Sequence, residues 1–318
     1  MTNETSRSRT PLLLVLNPMS DAHRAAIAAR YVMVYAPDAA QRQAAIAARG
    51  AEIDAVLTIG SIGLRAAEID AMPALRLVCA LGAGYENIDV AHAKARGIVV
   101  ANGAGTNDDC VADHAMALLL AAVRAIPQLD RACRAGVWRT ELPTQPNVSG
   151  KRIGLLGMGA IGRKIAKRAG AFDMEIGYCT RTQHDDVSFV WFEQAQALAE
   201  WCDFLVVAVP GGPSTRHLVG AEVLAALGPG GYLVNISRGS VVDTAALAEA
   251  LRAGRVKGAG LDVYESEPKP PVELFDFDGV VLTPHVAGTS PEAVQATVDR
   301  FLENARRHFD GQAVVSPV

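Results

Sequence analysis

Alternation of short apolar strands with alanine-rich helices predicts an α/β protein of two Rossmann-like or flavodoxin-like domains, each built on a parallel sheet, with a cleft between them. Three observations carry that prediction. The alternation begins at Pro11 and continues almost to the end of the chain. The 318 residues, half of them hydrophobic, suffice for two separate cores. And residues 151–162 read as a buried strand running through a glycine-rich turn into a helix, the start of a βαβ unit.

Taken in order, strands are expected at 12–16, 32–35, 55–58, 75–80 and 98–101, with helices running through Arg30, through Arg49 and over 90–96. These form a first parallel sheet. A long helical run over 109–125 follows, then a segment rich in turn formers (Pro143, Pro146, Asn147, Gly150) that reads as a loop or arm. The central βαβ unit comprises a strand at 153–156, an amphipathic helix over 163–171 and a strand at 174–179. Further strands at 204–208, 232–236, 258–261 and 280–282 complete a second sheet. The last helix, 291–309, is expected to return to the first domain, which gives domains of 1–105 with 287–318, and of 106–286.

Composition narrows the function. The net charge of −4 is mild and dispersed, so neither a nucleic-acid surface nor a polybasic membrane patch is expected. The polar stretch 1–10, with Arg7 and Arg9, reads as a frayed tail; the apolar run 12–16 is too short for a signal segment, and no apolar helix is long enough to span a bilayer. Five cysteines (Cys79, Cys110, Cys133, Cys179, Cys202) without a C-x-x-C pair argue against a disulfide framework and against a zinc cluster. A cytoplasmic protein without a metal, acting on a small neutral or acidic ligand, is the expectation.

Gly157-Met158-Gly159-Ala160-Ile161-Gly162 has the G-x-G-x-x-G spacing of a dinucleotide site. Gly157 permits the tight turn, Gly159 lets a pyrophosphate approach the backbone, and Gly162 lets helix and strand pack closely. At the end of the next strand stand Thr180, Arg181 and Thr182, with no acid to bind a ribose 2′-hydroxyl: Glu175 comes too early, and Asp185 and Asp186 lie beyond the turn. That set of donors suits a 2′-phosphate, so NADP is expected to be preferred, with NAD possible. Simple stacking of Arg181 on the adenine is the plainer alternative.

Three polar residues follow successive strands, where ligands of open α/β sheets bind. Arg238 offers a planar guanidinium for a carboxylate, although a surface ion pair would use it equally. Glu267 and His285 could form a carboxylate–imidazole pair, and a histidine so held is a good proton donor at neutral pH. Taken singly each is more often structural; together, beside a dinucleotide site, they point to chemistry. His114, in an otherwise apolar helix, reads as a supporting or core residue, and His217 as support for the loop after Val209 and Pro210.

The chain resembles the D-isomer-specific 2-hydroxyacid dehydrogenase family over nearly its whole length. The resemblance rests on the glycine fingerprint, the arginine loop Asn235-Ile236-Ser237-Arg238-Gly239, the glutamate loop over 261–268, the histidine loop Pro284-His285-Val286-Ala287-Gly288, and the helix around Asp113, where the family usually has glutamate. It implies that Arg238 holds the substrate carboxylate or carbonyl, that His285 gives a proton to the keto oxygen, and that Glu267 orients His285. It further implies substrate binding by the backbone of Leu81, Gly82, Ala83 and Gly84. Val209, Pro210, Thr215, Ile236, Ser237, Asp262, His285 and Gly288 would line the cofactor, and Trp138 would lie in an arm that packs across a homodimer or covers its own chain. The Pro18-Met19 turn after the first strand resembles the hydroxyphenylpyruvate and hydroxypyruvate reductase branch. The implied reaction is NAD(P)H-dependent reduction of a small 2-keto acid, with aromatic keto acids, a corepressor-like nucleotide sensor and formate oxidation as rivals.

Overall fold

The structure, a computed structural model that describes residues 9–318, divides into two units: the chain up to Asn107 together with Ser290–Val318, and Asp108–Thr289. Residues 1–8 of the expected polar tail lie outside the described residues.

In the first unit the chain runs β1 (Leu12–Val15), α1 (Asp21–Ala28), β2 (Val32–Tyr35), α2 (Ala39–Arg49), β3 (Ala55–Thr58), α3 (Ala66–Asp70), β4 (Leu77–Ala80), α4 (Val90–Ala95) and β5 (Val99–Ala101). The strands are parallel in the order β2-β1-β3-β4-β5, the flavodoxin-like arrangement. Their continuous apolar sequences follow from burial on both faces. Leu12, Leu14, Val56 and Val78 face one core, while Leu13, Val15, Leu57 and Leu77 face the other, which Phe301 and Leu302 of the C-terminal helix Pro291–Phe309 cover. Side chains of Ser20, Asp38, Asp89 and Ser290 accept the first free amides of four of these helices.

The second unit contains α5 (Asp108–Val123), α6 (Ile126–Arg134), β6 (Arg152–Leu156), α7 (Ala160–Gly170), β7 (Glu175–Cys179), β8 (Val190–Phe192), α8 (Ala195–Trp201), β9 (Phe204–Val207), α9 (Ala221–Leu227), β10 (Tyr232–Asn235), α10 (Thr244–Arg252), β11 (Gly258–Leu261) and β12 (Val280–Leu282). Its seven strands are ordered β12-β11-β10-β9-β6-β7-β8 and every neighbouring pair is parallel. All seven carboxyl ends therefore share one edge, and the strand order reverses between β6 and β9, where ligands of such sheets bind.

Three differences from the sequence reading have physical causes. The helix expected from Arg163 begins at Ala160, since Gly159 already takes the cap position, and so Gly162 lies inside it. The helical run over 109–125 stops at Val123 because Ala125 adopts φ 50, turning the chain into α6. The edge strand β8 was not anticipated: it is three residues long and partly exposed, and Trp191 secures it by donating its indole N–H to Thr180 O at 3.2 Å. Among the described residues no single helix is long and apolar enough to cross a membrane.

Candidate active site

The turn after β6 is shaped for a ligand that lies against the backbone. Gly157 has φ 103, and a Cβ there would come within 2.6 Å of Ala208 O; a Cβ on Gly162 would meet Gly157 O at 2.3 Å. These two glycines are required by internal packing. Gly159 is different, since a Cβ there would meet nothing within 4 Å, and both Gly159 and Ala160 are exposed while Met158 is buried and Ile161 half-buried. Open space above the helix N-terminus, beside a closely packed turn, fits a dinucleotide pyrophosphate.

At the end of β7, Arg181 and Thr182 are exposed. Thr180 is not free to donate, because its hydroxyl hydrogen-bonds Thr182 O at 2.7 Å; its part is to shape the turn that presents Arg181. Arg163 pairs with Asp186 at 2.9 Å and holds that carboxyl below the usual range. After β9, the Thr215 hydroxyl likewise turns inward and donates to Pro210 O at 2.8 Å, closing the loop that carries Val209 and Pro210.

The arginine loop is pinned by Asn235, fully buried at the end of β10. Its side-chain oxygen accepts from the amide and hydroxyl of Ser237 at 3.0 and 2.9 Å, and its amide nitrogen donates to Arg238 O at 3.1 Å. The aliphatic stem of Arg238 lies over Gly211, where a Cβ would come within 2.6 Å of Arg238 Cγ. Backbone and stem of Arg238 are thus both located before any substrate arrives.

His285 Nδ1 lies 2.8 Å from Glu267 Oε2, and the other oxygen of Glu267 accepts the Tyr264 amide at 2.8 Å. The hydrogen bond from Glu267 raises the imidazole pKa above its ordinary value, against the opposing effects of burial and of the Arg238 charge. Burial alone would raise the Glu267 carboxyl, but the bonds from His285 and Tyr264, with the charges of His285 and Arg238, outweigh it and leave the carboxyl below its usual range. With Nδ1 engaged, Nε2 remains for a ligand.

Asp262, only 1% exposed, holds the whole histidine loop. Its backbone oxygen accepts the His285 amide at 2.8 Å, and its carboxylate accepts the amides of Val286 and Ala287, each at 2.9 Å, and the Thr283 hydroxyl at 2.6 Å. His285 itself sits at φ 53, a conformation a non-glycine residue keeps only when its surroundings enforce it. Tyr264 adds its hydroxyl, shared between Leu261 O at 3.0 Å and Thr283 O at 2.5 Å.

In the first unit, the segment Leu81, Gly82, Ala83, Gly84 follows the carboxyl end of β4. It is fixed by Leu81 N donating to Thr58 O, by Gly103 N donating to Gly82 O (both 2.9 Å), and by Asn102 Nδ2 donating to Ala83 O at 2.8 Å. The last two bonds consume carbonyls, so the amides of Gly82, Ala83 and Gly84 stay available to an anion, whereas the Leu81 amide, expected to join them, is spent on Thr58 O and only anchors the loop.

Arg238, Glu267 and His285 therefore stand at the ends of three adjacent strands, with Ile236, Ser237, Asp262 and Gly288 in the same three loops. Sequence reasoning missed Asn235, Gly211, Tyr264 and Thr283. Only Asn235 gave a signal, a polar residue closing the apolar run Leu233-Val234. Trp138 is two-thirds exposed on its own chain. Asp113, in place of the expected glutamate, accepts from Arg168 Nε at 2.6 Å and so joins α5 to α7.

The chain is similar to known proteins over most of its length. Residues 116–287 match the family profile described as D-isomer specific 2-hydroxyacid dehydrogenase, NAD binding domain. The chain is 38% identical to hydroxyphenylpyruvate reductase of Plectranthus scutellarioides, covering 86% of this chain and 88% of that one. It is 41% identical to glyoxylate/hydroxypyruvate reductase A of Arabidopsis thaliana over 84% and 85% of the two chains. The crystal structure of an NADPH-dependent glyoxylate/hydroxypyruvate reductase from Sinorhizobium meliloti, in complex with NADP and malonate, superposes with a TM-score of 0.90 at 38% identity, covering 97% of each chain. A two-sheet parallel fold with a glycine cradle, together with this likeness over most of the chain, leads to one conclusion: the protein belongs to the D-isomer-specific 2-hydroxyacid dehydrogenase family and is an oxidoreductase that acts on CH–OH groups with a nicotinamide cofactor.

Proposed function

We propose that this protein reduces a small 2-keto acid to the D-2-hydroxy acid, as a glyoxylate or hydroxypyruvate reductase does, with NADPH preferred over NADH. The observation that carries the reading is the His285–Glu267 pair at 2.8 Å, one strand end away from Arg238. When bound, the reduced nicotinamide supplies the hydride. Gly157, Met158, Gly159, Ala160, Ile161 and Gly162 would hold its pyrophosphate, with Val209, Pro210, Thr215, Ile236, Ser237, Asp262, His285 and Gly288 lining the rest of the dinucleotide. Arg238 binds the carboxylate or carbonyl of the keto acid, and the amides of Gly82, Ala83 and Gly84 bind its carboxylate, with Leu81 anchoring that loop through Thr58 O. His285, protonated, gives the Nε2 proton to the keto oxygen and ends neutral, keeping the Nδ1–H that it donates to the Glu267 carboxylate. Glu267 favours the charged imidazole before transfer and fixes its orientation throughout.

The direct test is reduction of a panel of keto acids (glyoxylate, hydroxypyruvate, pyruvate, hydroxyphenylpyruvate) with each reduced cofactor. Turnover of glyoxylate and hydroxypyruvate with the highest kcat/KM supports the reading. Highest activity on hydroxyphenylpyruvate would favour the aromatic branch instead, as the likeness to the Plectranthus enzyme allows. No turnover of any keto acid would refute both.

NADPH preference rests on Arg181. It is exposed at the end of β7, and among the described residues it meets no acid; the nearby Asp186 is committed to Arg163. A charge-assisted contact with a 2′-phosphate contributes about 1.5–3 kcal/mol, so Arg181→Ala should lower the ratio of kcat/KM for NADPH over NADH by roughly tenfold or more. A wild-type enzyme that prefers NADH would overturn this part. The exposed Trp138 marks the arm that we assign to a homodimer contact, so Trp138→Ser should shift the mass measured by light scattering toward the monomer.

A further inference from the structure

His114 lies in α5, and its ring nitrogen Nε2 is 2.9 Å from the Thr283 hydroxyl. The proton arrangement there is forced. A hydroxyl has a single hydrogen, and that of Thr283 goes to Asp262 Oδ1 at 2.6 Å, because the carboxylate can only accept and already takes two backbone amides. Thr283 must then act as acceptor toward His114, so His114 Nε2 carries a hydrogen and donates it. The same nitrogen lies 3.5 Å from Asp262 Oδ1. The result is a directional chain from His114 Nε2–H to the Thr283 hydroxyl and on to the Asp262 carboxylate, which holds the amides of Val286 and Ala287 on its two oxygens.

We propose that His114 is a positioning residue for His285, acting through the Thr283 hydroxyl and the Asp262 carboxylate, which together suspend the histidine loop. The inference rests on His285 being the proton donor of the proposed reaction. His285 at φ 53 has no intrinsic preference for its place and depends on the loop that holds it. His114 does not touch reacting atoms in this role. It orients the hydroxyl that orients the carboxylate, and small misplacements of a catalytic group are costly in rate.

The test uses the full-length enzyme with its reduced cofactor and the best keto acid of the panel. For His114→Leu, kcat is expected to fall about tenfold, with KM for the cofactor little changed and the solvent deuterium isotope effect on kcat increased, since proton delivery becomes harder. In a Thr283→Val background the same substitution should have no further effect, because the path is already cut. His114→Gln, which keeps a donor of similar reach, should recover most of the rate, whereas His114→Asn, too short to reach, should not. This last pair keeps the test decisive should the leucine variant fail to fold.

A kcat for His114→Leu within twofold of wild type would overturn the proposal, as would losses that multiply in the double variant or an unchanged isotope effect. Failure of the underlying reading looks different. It would appear as near-normal turnover in His285→Ala, or as no keto-acid turnover by the wild type, whatever His114 does.

Discussion

Two histidine–glutamate pairs stand within one sheet edge of the second unit, and their glutamates are two residues apart. His285 Nδ1 meets Glu267 at 2.8 Å; His217 Nε2 meets Glu265 at 2.7 Å. Both histidines have positive φ, 53 and 51. Both glutamates use their second oxygen on a backbone amide, Tyr264 for Glu267 and Thr244 for Glu265. The difference lies in the nitrogen left over. His217 turns its Nδ1 toward Asp243 at 3.7 Å, so the ring is closed on both sides by carboxylates and ties the loop after β9 to the start of α10. Among the described residues His285 is bound on one side only. A carboxylate partner therefore does not by itself single out a proton donor; in the proposed reaction His285 is set apart by its second ring nitrogen.

The largest effect that would test this distinction is loss of His285 itself. His285→Ala should lower keto-acid reduction by about 10²–10⁴ while cofactor binding, followed by fluorescence quenching, stays nearly intact. Near-normal turnover would remove His285 from the chemistry. Next comes Arg238→Lys, in which charge is kept but the planar two-point contact is lost. A loss of about 2 kcal/mol, roughly thirtyfold in kcat/KM for the keto acid, is expected, and unchanged constants would place Arg238 outside the site.

Glu267→Gln tests the pair directly. In the proposed reaction reduction needs protonated His285, so activity should be present below its pKa and lost as pH rises through it. Because Glu267 raises that pKa, its neutral replacement should lower it, and the alkaline limb should move to lower pH. Above the limb the rate falls roughly tenfold for each unit of displacement. A limb that stays where it is would mean that Glu267 does not govern the imidazole.

Much of this site could be read from the residues because its signals are local. Buried parallel strands announce themselves as apolar runs such as Leu77-Val78-Cys79-Ala80, and the glycine turn has a fixed spacing that the packing around Gly157 and Gly162 explains. What could not be read depends on partners distant in sequence. Asp262 looks like any acid after a strand until its carboxylate is seen to hold amides 24 and 25 residues further on. The Thr180 hydroxyl looked like a phosphate donor because sequence cannot show that its proton goes to Thr182 O. Edge strand β8 carries too few residues to give a periodic pattern, and the break at Ala125 arises from a backbone conformation for which alanine has no preference.

The smallest effect sharpens the comparison most, because the same chemical change is made two residues away. Glu265, like Glu267, keeps its carboxyl below the usual range: burial opposes this, but the bonds from His217 and the Thr244 amide prevail. Glu265→Gln retains a hydrogen-bonding group of the same shape and removes only the charge. If His217 serves to join loops, the substitution should cost about 0.5–1 kcal/mol of stability, measured by urea unfolding, and leave the alkaline limb of keto-acid reduction where it was. His217→Asn should behave the same way, since asparagine accepts positive φ and separates loss of the ring from loss of the backbone conformation. The two glutamate variants, matched in chemistry and neighbouring in sequence, would then differ in the pH profile alone. Should Glu265→Gln move that limb as Glu267→Gln does, an imidazole closed on both sides would be taking part in proton delivery, and the unused nitrogen would no longer tell the two histidines apart.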